Sequence, residues 1–208
     1  PAVVIFPGGA YAYCSDREAD PVAQEYLRAG YHAFVLRYSV GWENAVWPNP
    51  LEDYDQAMEL IAAHAKEWHL IPEKIAVIGF SAGGHLAACA ATMAKHRPAA
   101  AILAYPVILE GLAAICAKGA PGADKAVDSQ TCPCFIAATG TDTMVSAMNS
   151  LRFVEALYEN GISAELHLYA FGPHGFSTAR TSIADPAELC SRTLHWVEDT
   201  ISWLEDVF

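Results

Sequence analysis

The chain has 208 residues, of which 53% are hydrophobic and 17% charged, and its 12 basic and 24 acidic side chains leave a net charge of −12. That balance excludes a disordered segment and describes a single domain, residues 1–208, with a substantial core. It also repels nucleic acid and anionic membrane surfaces, so neither is expected as a partner, and no apolar stretch approaches the roughly 20 residues that span a bilayer.

Short apolar runs alternate with helical patterns along the chain. A strand is expected over Ala2–Phe6, followed by the glycine loop Pro7-Gly8-Gly9-Ala10-Tyr11. A helix over about 21–29 ends at Gly30, and a second strand covers 32–38. Asn49-Pro50-Leu51-Glu52 reads as a capping box, with Asn49 as N-cap, Pro50 at the first helical position and Glu52 at N3. Behind it Leu51, Tyr54, Met58, Ile61, Ala65 and Trp68 recur at three and four, one buried stripe.

Strands are then expected over 75–79 and 99–105, separated by a small-residue helix over about 84–94. Residues 107–131 carry no clear pattern, and Gly119-Ala120-Pro121-Gly122 reads as loop, so this interval is expected to form a small flap or cap remnant. Strands over Cys134–Thr139 and Ala164–Tyr169 flank a helix over about 146–160 that stops at Gly161. A second capping box, Asp185-Pro186-Ala187-Glu188, opens a last helix with Cys190, Leu194, Val197, Ile201, Leu204 and Phe208 down one side. The strands are nearly continuous in apolar residues, the mark of parallel strands covered on both faces. The expected fold is α/β, a mostly parallel central sheet with helices on both faces.

The six cysteines have no C-x-x-C spacing. Cys132 and Cys134 are one residue too close for a zinc or redox loop, and Cys89 and Cys190 read as small hydrophobes on helix faces. Free thiols in a reducing, cytoplasmic compartment are the expectation. No signal peptide is visible, and the opening on Pro1 directly into a strand is unlike a natural start, which points to a missing upstream segment.

Gly79-Phe80-Ser81-Ala82-Gly83 is a G-x-S-x-G motif between a strand and a helix, the context of a nucleophile elbow. A serine needs a base to take its proton, and the base needs an orienting carboxylate. In open α/β sheets such groups stand at the carboxyl ends of strands. Asp142 follows one strand in Gly140-Thr141-Asp142, and His174 follows another in Gly172-Pro173-His174-Gly175, in the order Ser, Asp, His. Asp124 and Asp128 are rivals that lie before their strand rather than after it. Of the other histidines, His32 and His167 fall within strands, His64, His69, His96 and His195 lie at or near helix surfaces, and His85 is expected to pack in the first turn after the nucleophile. The oxyanion donors are expected to be the N–H of Ala82 and N–H groups of the Pro7–Tyr11 loop.

Pro7-Gly8-Gly9-Ala10-Tyr11 with Ser15-Asp16-Arg17-Glu18, then Gly79 to His85, then Pro173-His174-Gly175, resemble the bacterial α/β-hydrolase esterases. The group most resembled is that of acetyl esterases and acetyl xylan esterase-like and feruloyl esterase-like proteins; the hormone-sensitive-lipase group is more distantly similar. The resemblance spans most of the chain and weakens over 107–131. It implies the α/β-hydrolase fold, with the family's opening strands missing before Pro1. It implies Ser81 as nucleophile, Asp142 as acid, His174 as base, and Gly9, Ala10 and Ala82 as oxyanion donors. This chain departs from the larger group in having Pro7-Gly8-Gly9-Ala10 where that group has His-Gly-Gly-Gly, and Ser146 after Val145 where a proline is frequent. Arg17 and Glu18 recur in the resemblance and are expected as a structural ion pair beside the site. Trp42, Trp47 and Tyr11 either line an acyl or sugar pocket or pack structurally.

The expected activity is hydrolysis of short-chain carboxylic esters, acetyl groups on carbohydrate included, with no metal or organic cofactor. The expected partner is a small-molecule or oligosaccharide ester, and a homo-oligomer is compatible with the sequence. Alternatives are an arylformamidase-like amidohydrolase, a serine peptidase of the prolyl-oligopeptidase type, and a non-catalytic binding protein of the same fold.

Overall fold

In the computed structural model, which describes residues 1–208, the chain runs β1 (Ala2–Phe6), α1 (Asp20–Arg28), β2 (His32–Val35), α2 (Asn49–His64), β3 (Ile75–Phe80), α3 (Ala82–Met93), β4 (Ala100–Ala104), α4 (Glu110–Cys116), β5 (Cys134–Thr139), α5 (Met148–Glu159), β6 (Ala164–Tyr169) and α6 (Trp196–Val207). The six strands form one sheet in the order β2-β1-β3-β4-β5-β6, and every neighbouring pair is parallel. Strands β1, β3, β4 and β5 are buried along their whole length, as their unbroken apolar runs require. The edge strands β2 and β6 are only partly covered.

Alternate residues of each strand feed two cores. Val4, Phe6, Val77, Leu103 and Ile136 face one side, where they meet Tyr54 and Ile61 of α2, Leu86 of α3 and Phe153 and Leu157 of α5. Val3, Ile5, Ile78, Ile102 and Phe135 face the other, against Val22 and Tyr26 of α1 and Trp196 and Leu204 of α6. This is an α/β-hydrolase fold. No helix is long and apolar enough to cross a membrane.

The strand order decides where a site can form. From β1 the chain crosses first to β2 on one side and then to β3 on the other. At such a reversal the loops leaving adjacent strands diverge and open a crevice at their carboxyl ends. The glycine loop leaves β1 and the G-x-S-x-G turn leaves β3, and Phe6, the last residue of β1, is paired with Gly79 near the end of β3.

Several expectations from the sequence need correction. β2 stops at Val35 rather than at 38, because Tyr38 turns inward and its hydroxyl donates to the Pro7 carbonyl. The capping box at Asn49 does not form: the N-cap is Pro48, and the Asn49 amide donates instead to the Asn44 carbonyl. Met58 and Trp68 of the expected stripe pack only partly against the core, and Trp68 lies beyond the helix end. Helix α3 opens at Ala82, two residues earlier than expected, and α5 spans Met148–Glu159.

The stretch after Asp185 is not one helix. The Asp185 carboxylate does cap Ala187 N–H, but only a 3₁₀ turn, Pro186–Glu188, follows. The N–H of Cys190 then bonds to Phe171 O rather than back along a helix, and a second 3₁₀ turn, Ser191–His195, precedes α6. Cys190 is therefore half-buried between turns and not on a helix face, whereas Cys89 is fully buried. The interval 107–131 holds α4 and a 3₁₀ turn, Ala123–Ala126; it looked patternless because α4 buries only Ala113.

Candidate active site

Ser81 sits between β3 and α3 with φ 54° and ψ −114°, a conformation that costs an L-residue on the order of 1–3 kcal/mol. The turn is held from three sides. Ser81 N–H donates to Ala104 O at 3.0 Å, and Ser81 O accepts from Val107 N–H at 3.0 Å and His85 N–H at 3.1 Å. The flanking glycines are steric necessities: a Cβ on Gly79 would lie 2.1 Å from Gly83 O, and one on Gly83 2.1 Å from Phe6 O. Packed this tightly, the elbow presses α3 against the end of β1.

His174 reaches Ser81 from the loop after β6. Its Nε2 lies 2.9 Å from Ser81 Oγ, and its Nδ1 lies 2.6 Å from Asp142 Oδ2. A carboxylate oxygen only accepts, so Nδ1 carries the proton and the Nε2 lone pair receives the serine O–H. Asp142 Oδ1 accepts from the N–H groups of Met144 at 2.8 Å and Val145 at 2.9 Å. The Asp142 side chain is 1% exposed. Burial works to raise its pKa, but the His174 hydrogen bond and the two N–H groups outweigh burial and leave the carboxyl below its ordinary value. The loops after β5 and β6 are fastened together: Gly172 O accepts from Thr139 Oγ1 at 2.9 Å and Thr141 Oγ1 at 3.1 Å.

The third part is backbone. Gly9, Ala10 and Tyr11 all have positive φ, 124°, 54° and 58°, a run that turns successive N–H groups toward one side. The N–H groups of Gly9, Ala10 and Ala82 make no hydrogen bond within the chain, whereas Gly8 N–H is committed to Glu18. Ala82 is also the first residue of α3, whose N-terminal end favours negative charge.

His85 packs in the first turn of α3, as expected, with none of its surface exposed. Its Nε2 must donate to the Pro121 carbonyl at 2.8 Å, so Nδ1 accepts from Tyr11 O–H at 2.8 Å. Burial pushes its pKa down to about 4, against the opposing pull of the Pro121 carbonyl. Tyr11 is thus a buried strut, and Trp47 stacks edge-on against His85. Trp42 is 90% exposed. It lines a cavity of about 590 Å³ with Ala10, Tyr11, Ala45, Ile115 and Cys116, directly beside the glycine loop.

Neither rival carboxylate is the partner of His174, whose Nδ1 goes to Asp142. Asp128 is forked by Arg97, which drives its pKa down, and Asp124 lies in the 3₁₀ turn of the flap. His167 stands at the sheet edge between Glu165 and Asp199. The expected Arg17–Glu18 ion pair is absent: Arg17 donates to the carbonyls of Ile183 at 2.6 Å and Gly175 at 3.4 Å, and Glu18 turns inward to Gly8 N–H and Tyr105 O–H. Sequence reasoning missed Tyr105 altogether. Its ring meets that of His174 edge-on at 4.9 Å, and its φ of 38° is strained. The one available signal was its place directly after an apolar strand.

Comparison with known proteins bears on these elements. The BD-FAE family pattern matches residues 1–108. Endo-1,4-beta-xylanase B of Butyrivibrio fibrisolvens is 31% identical over 209 residues, covering 85% of this chain and 32% of the xylanase. An acetylxylan esterase of Xylanibacter ruminicola is 29% identical over 197 residues, covering 84% of this chain and 41% of that protein. The chain therefore spans only about a third to two fifths of the length of these curated relatives. Among solved structures, MGS-M1, an alpha/beta hydrolase enzyme from a Medee basin deep-sea metagenome library, superposes with a TM-score of 0.89 at 41% identity, covering 100% of this chain and 84% of that one.

Proposed function

Since the chain belongs to the BD-FAE family, we propose that it is a carboxylic ester hydrolase of the serine type, working on short acyl groups carried by a carbohydrate. The observation that carries the reading is the unbroken hydrogen-bonded line Ser81–His174–Asp142, with three backbone N–H groups nearby that make no hydrogen bond. The names of the two curated relatives, an acetylxylan esterase and a xylanase, support carbohydrate as the alcohol half.

In this reading His174 Nε2 takes the proton from Ser81 Oγ as the oxygen attacks the ester carbonyl carbon. The N–H groups of Ala82, Gly9 and Ala10 receive the oxyanion, and Asp142 stabilises the imidazolium formed on His174. That imidazolium protonates the leaving alcohol, and the acyl group stays on Ser81. His174 then draws a proton from water, which attacks the acyl carbon; Ser81 leaves with its proton restored and the free acid departs. The exposed Trp42 ring, beside Ala10, offers a flat apolar face to the sugar of the alcohol half.

A fluorophosphonate probe should label Ser81 in the native chain and leave Ser81→Ala unlabelled. Acetylated oligosaccharides should be deacetylated faster than formamides are hydrolysed. No labelling would revive the non-catalytic reading, and faster formamide turnover the amidohydrolase one.

A further inference from the structure

Glu18 is 6% exposed, and it is a carboxylate without a cation. None of the chain's ion pairs includes it. An uncompensated buried charge is costly, so its partners must explain it. Oε2 accepts Gly8 N–H at 2.8 Å, and Oε1 accepts Tyr105 O–H at 2.7 Å. The Tyr105 oxygen in turn accepts Ser177 N–H at 3.0 Å, so its own proton has to go to Glu18. Two donors converge on Glu18 from opposite sides. A carboxylate satisfies both; a glutamine would aim its NH₂ group at one of them.

These two partners, and Ser177 beyond Tyr105, sit on three loops around the proposed site. Gly8 opens the glycine loop after β1, Tyr105 directly follows β4, and Ser177 follows His174 by three residues after β6. Gly8 is wedged tightly between this carboxylate and the nucleophile: a Cβ there would lie 2.7 Å from Glu18 Oε2 and 3.1 Å from Ser81 Cβ. Tyr105 also meets the His174 ring.

We propose that Glu18 is a positioning residue for acyl transfer: its carboxylate fixes the glycine loop against Ser81 and, through Tyr105, sets that loop's register to the loop that carries His174. The role rests on the esterase reading. Glu18 touches no reacting atom; it acts through Gly8, whose own N–H it occupies, so that the N–H groups of Gly9 and Ala10 stay aimed at the oxyanion. Loosening the clamp disturbs oxyanion binding, which matters in the transition state and little in the ground state.

The test is Glu18→Gln, nearly isosteric and therefore expected to fold, measured with Tyr105→Phe, the double variant and the native chain. Each is checked for its melting temperature and assayed well below it on an acetate ester. Glu18→Gln should lower kcat roughly ten- to hundredfold with KM within about threefold. Affinity for a trifluoromethyl ketone, which mimics the tetrahedral oxyanion, should fall in step with kcat/KM. Tyr105→Phe should move kcat in the same direction by less, and the double variant should be no worse than Glu18→Gln alone, because the two act as one unit. A folded Glu18→Gln that keeps more than half of native kcat, or that raises KM with kcat intact, would overturn the role, as would multiplicative losses in the double variant. A native chain that neither reacts with a fluorophosphonate nor hydrolyses the ester would overturn the esterase reading itself, and this role with it.

Discussion

The two sides of the crevice are built from different materials. On the β1 and β3 side of the proposed site, the groups around Ser81 are main chain apart from its own hydroxyl: a strained turn, three residues of positive φ and a helix end. On the β5 and β6 side the working groups are side chains, His174 and Asp142, on loops fastened by Thr139 and Thr141. The first side is sensitive to any atom added and tolerant of many atoms removed. The second is sensitive to the loss of one functional group, with little consequence for folding.

The sharpest way to break this contrast is to remove the reacting groups. Ser81→Ala and His174→Ala should each lower kcat by roughly 10⁴-fold or more while the melting temperature stays near that of the native chain. A tenth of the activity remaining in either would sink the assignment. Asp142→Asn should cost about 10³- to 10⁴-fold, because an amide neither stabilises the imidazolium nor enforces its tautomer. Asp124→Asn and Asp128→Asn should stay close to native turnover, and a disabling effect in either would move the acid.

Gly83→Ala tests the other side. The added Cβ has nowhere to go within 2.1 Å of Phe6 O, so stability should fall by about 1–3 kcal/mol and activity should drop with it. Chemical denaturation reads the loss, and an unchanged midpoint would show that the elbow is looser than its packing implies.

His85 ties the glycine loop to the flap, and its pH dependence follows from its burial. The unfolded chain protonates it near its ordinary 6.5, the folded chain only at about 4. Between those values the unfolded state holds more protons, so stability falls as the pH drops from about 6.5 to about 4, by on the order of a few kcal/mol. Asp142, with its lowered pKa, acts in the same sense at the acid end. His85→Gln, which can still donate to Pro121 O and accept from Tyr11, should flatten that part of the profile in urea titrations. An unchanged slope would assign the acid sensitivity elsewhere.

The smallest expected effect concerns acyl length. The interval 107–131 holds one short helix and a 3₁₀ turn. If the proposed site is covered by no more than this interval, each added methylene gains less than the usual ~0.8 kcal/mol, so acetate and propionate esters should have higher kcat/KM than octanoate. A p-nitrophenyl decanoate that outruns the acetate would contradict this.

What could be read from the sequence follows the same division. The ends of β1 and β5 are legible because apolar runs there stop against proline or glycine, and Asp142 and His174 because strand-end position and chain order leave few rivals. Features made by long-range polar contacts are not. Glu18 and Tyr105 are 87 residues apart, and nothing local marks either as the other's partner. The Arg17–Glu18 pair was misread because adjacent opposite charges invite pairing, while burial turned one inward and left the other at the surface. The second capping box misled in another way: Asp185 caps its turn, but Cys190 N–H finds Phe171 O before a helix can propagate.

The sheet order also sets a timetable for reactivity. In the proposed reading the elbow of Ser81 is complete once β4 and Val107 are in place, whereas His174 comes only after β6, which joins the sheet at its outer edge. A chain emerging from the ribosome therefore carries Ser81 for more than 90 residues before His174 can take its proton, the separation of the two being 93. Until β6 docks, the hydroxyl is no better a nucleophile than any other serine. On that reading, chains that end before His174 would be inert toward esters.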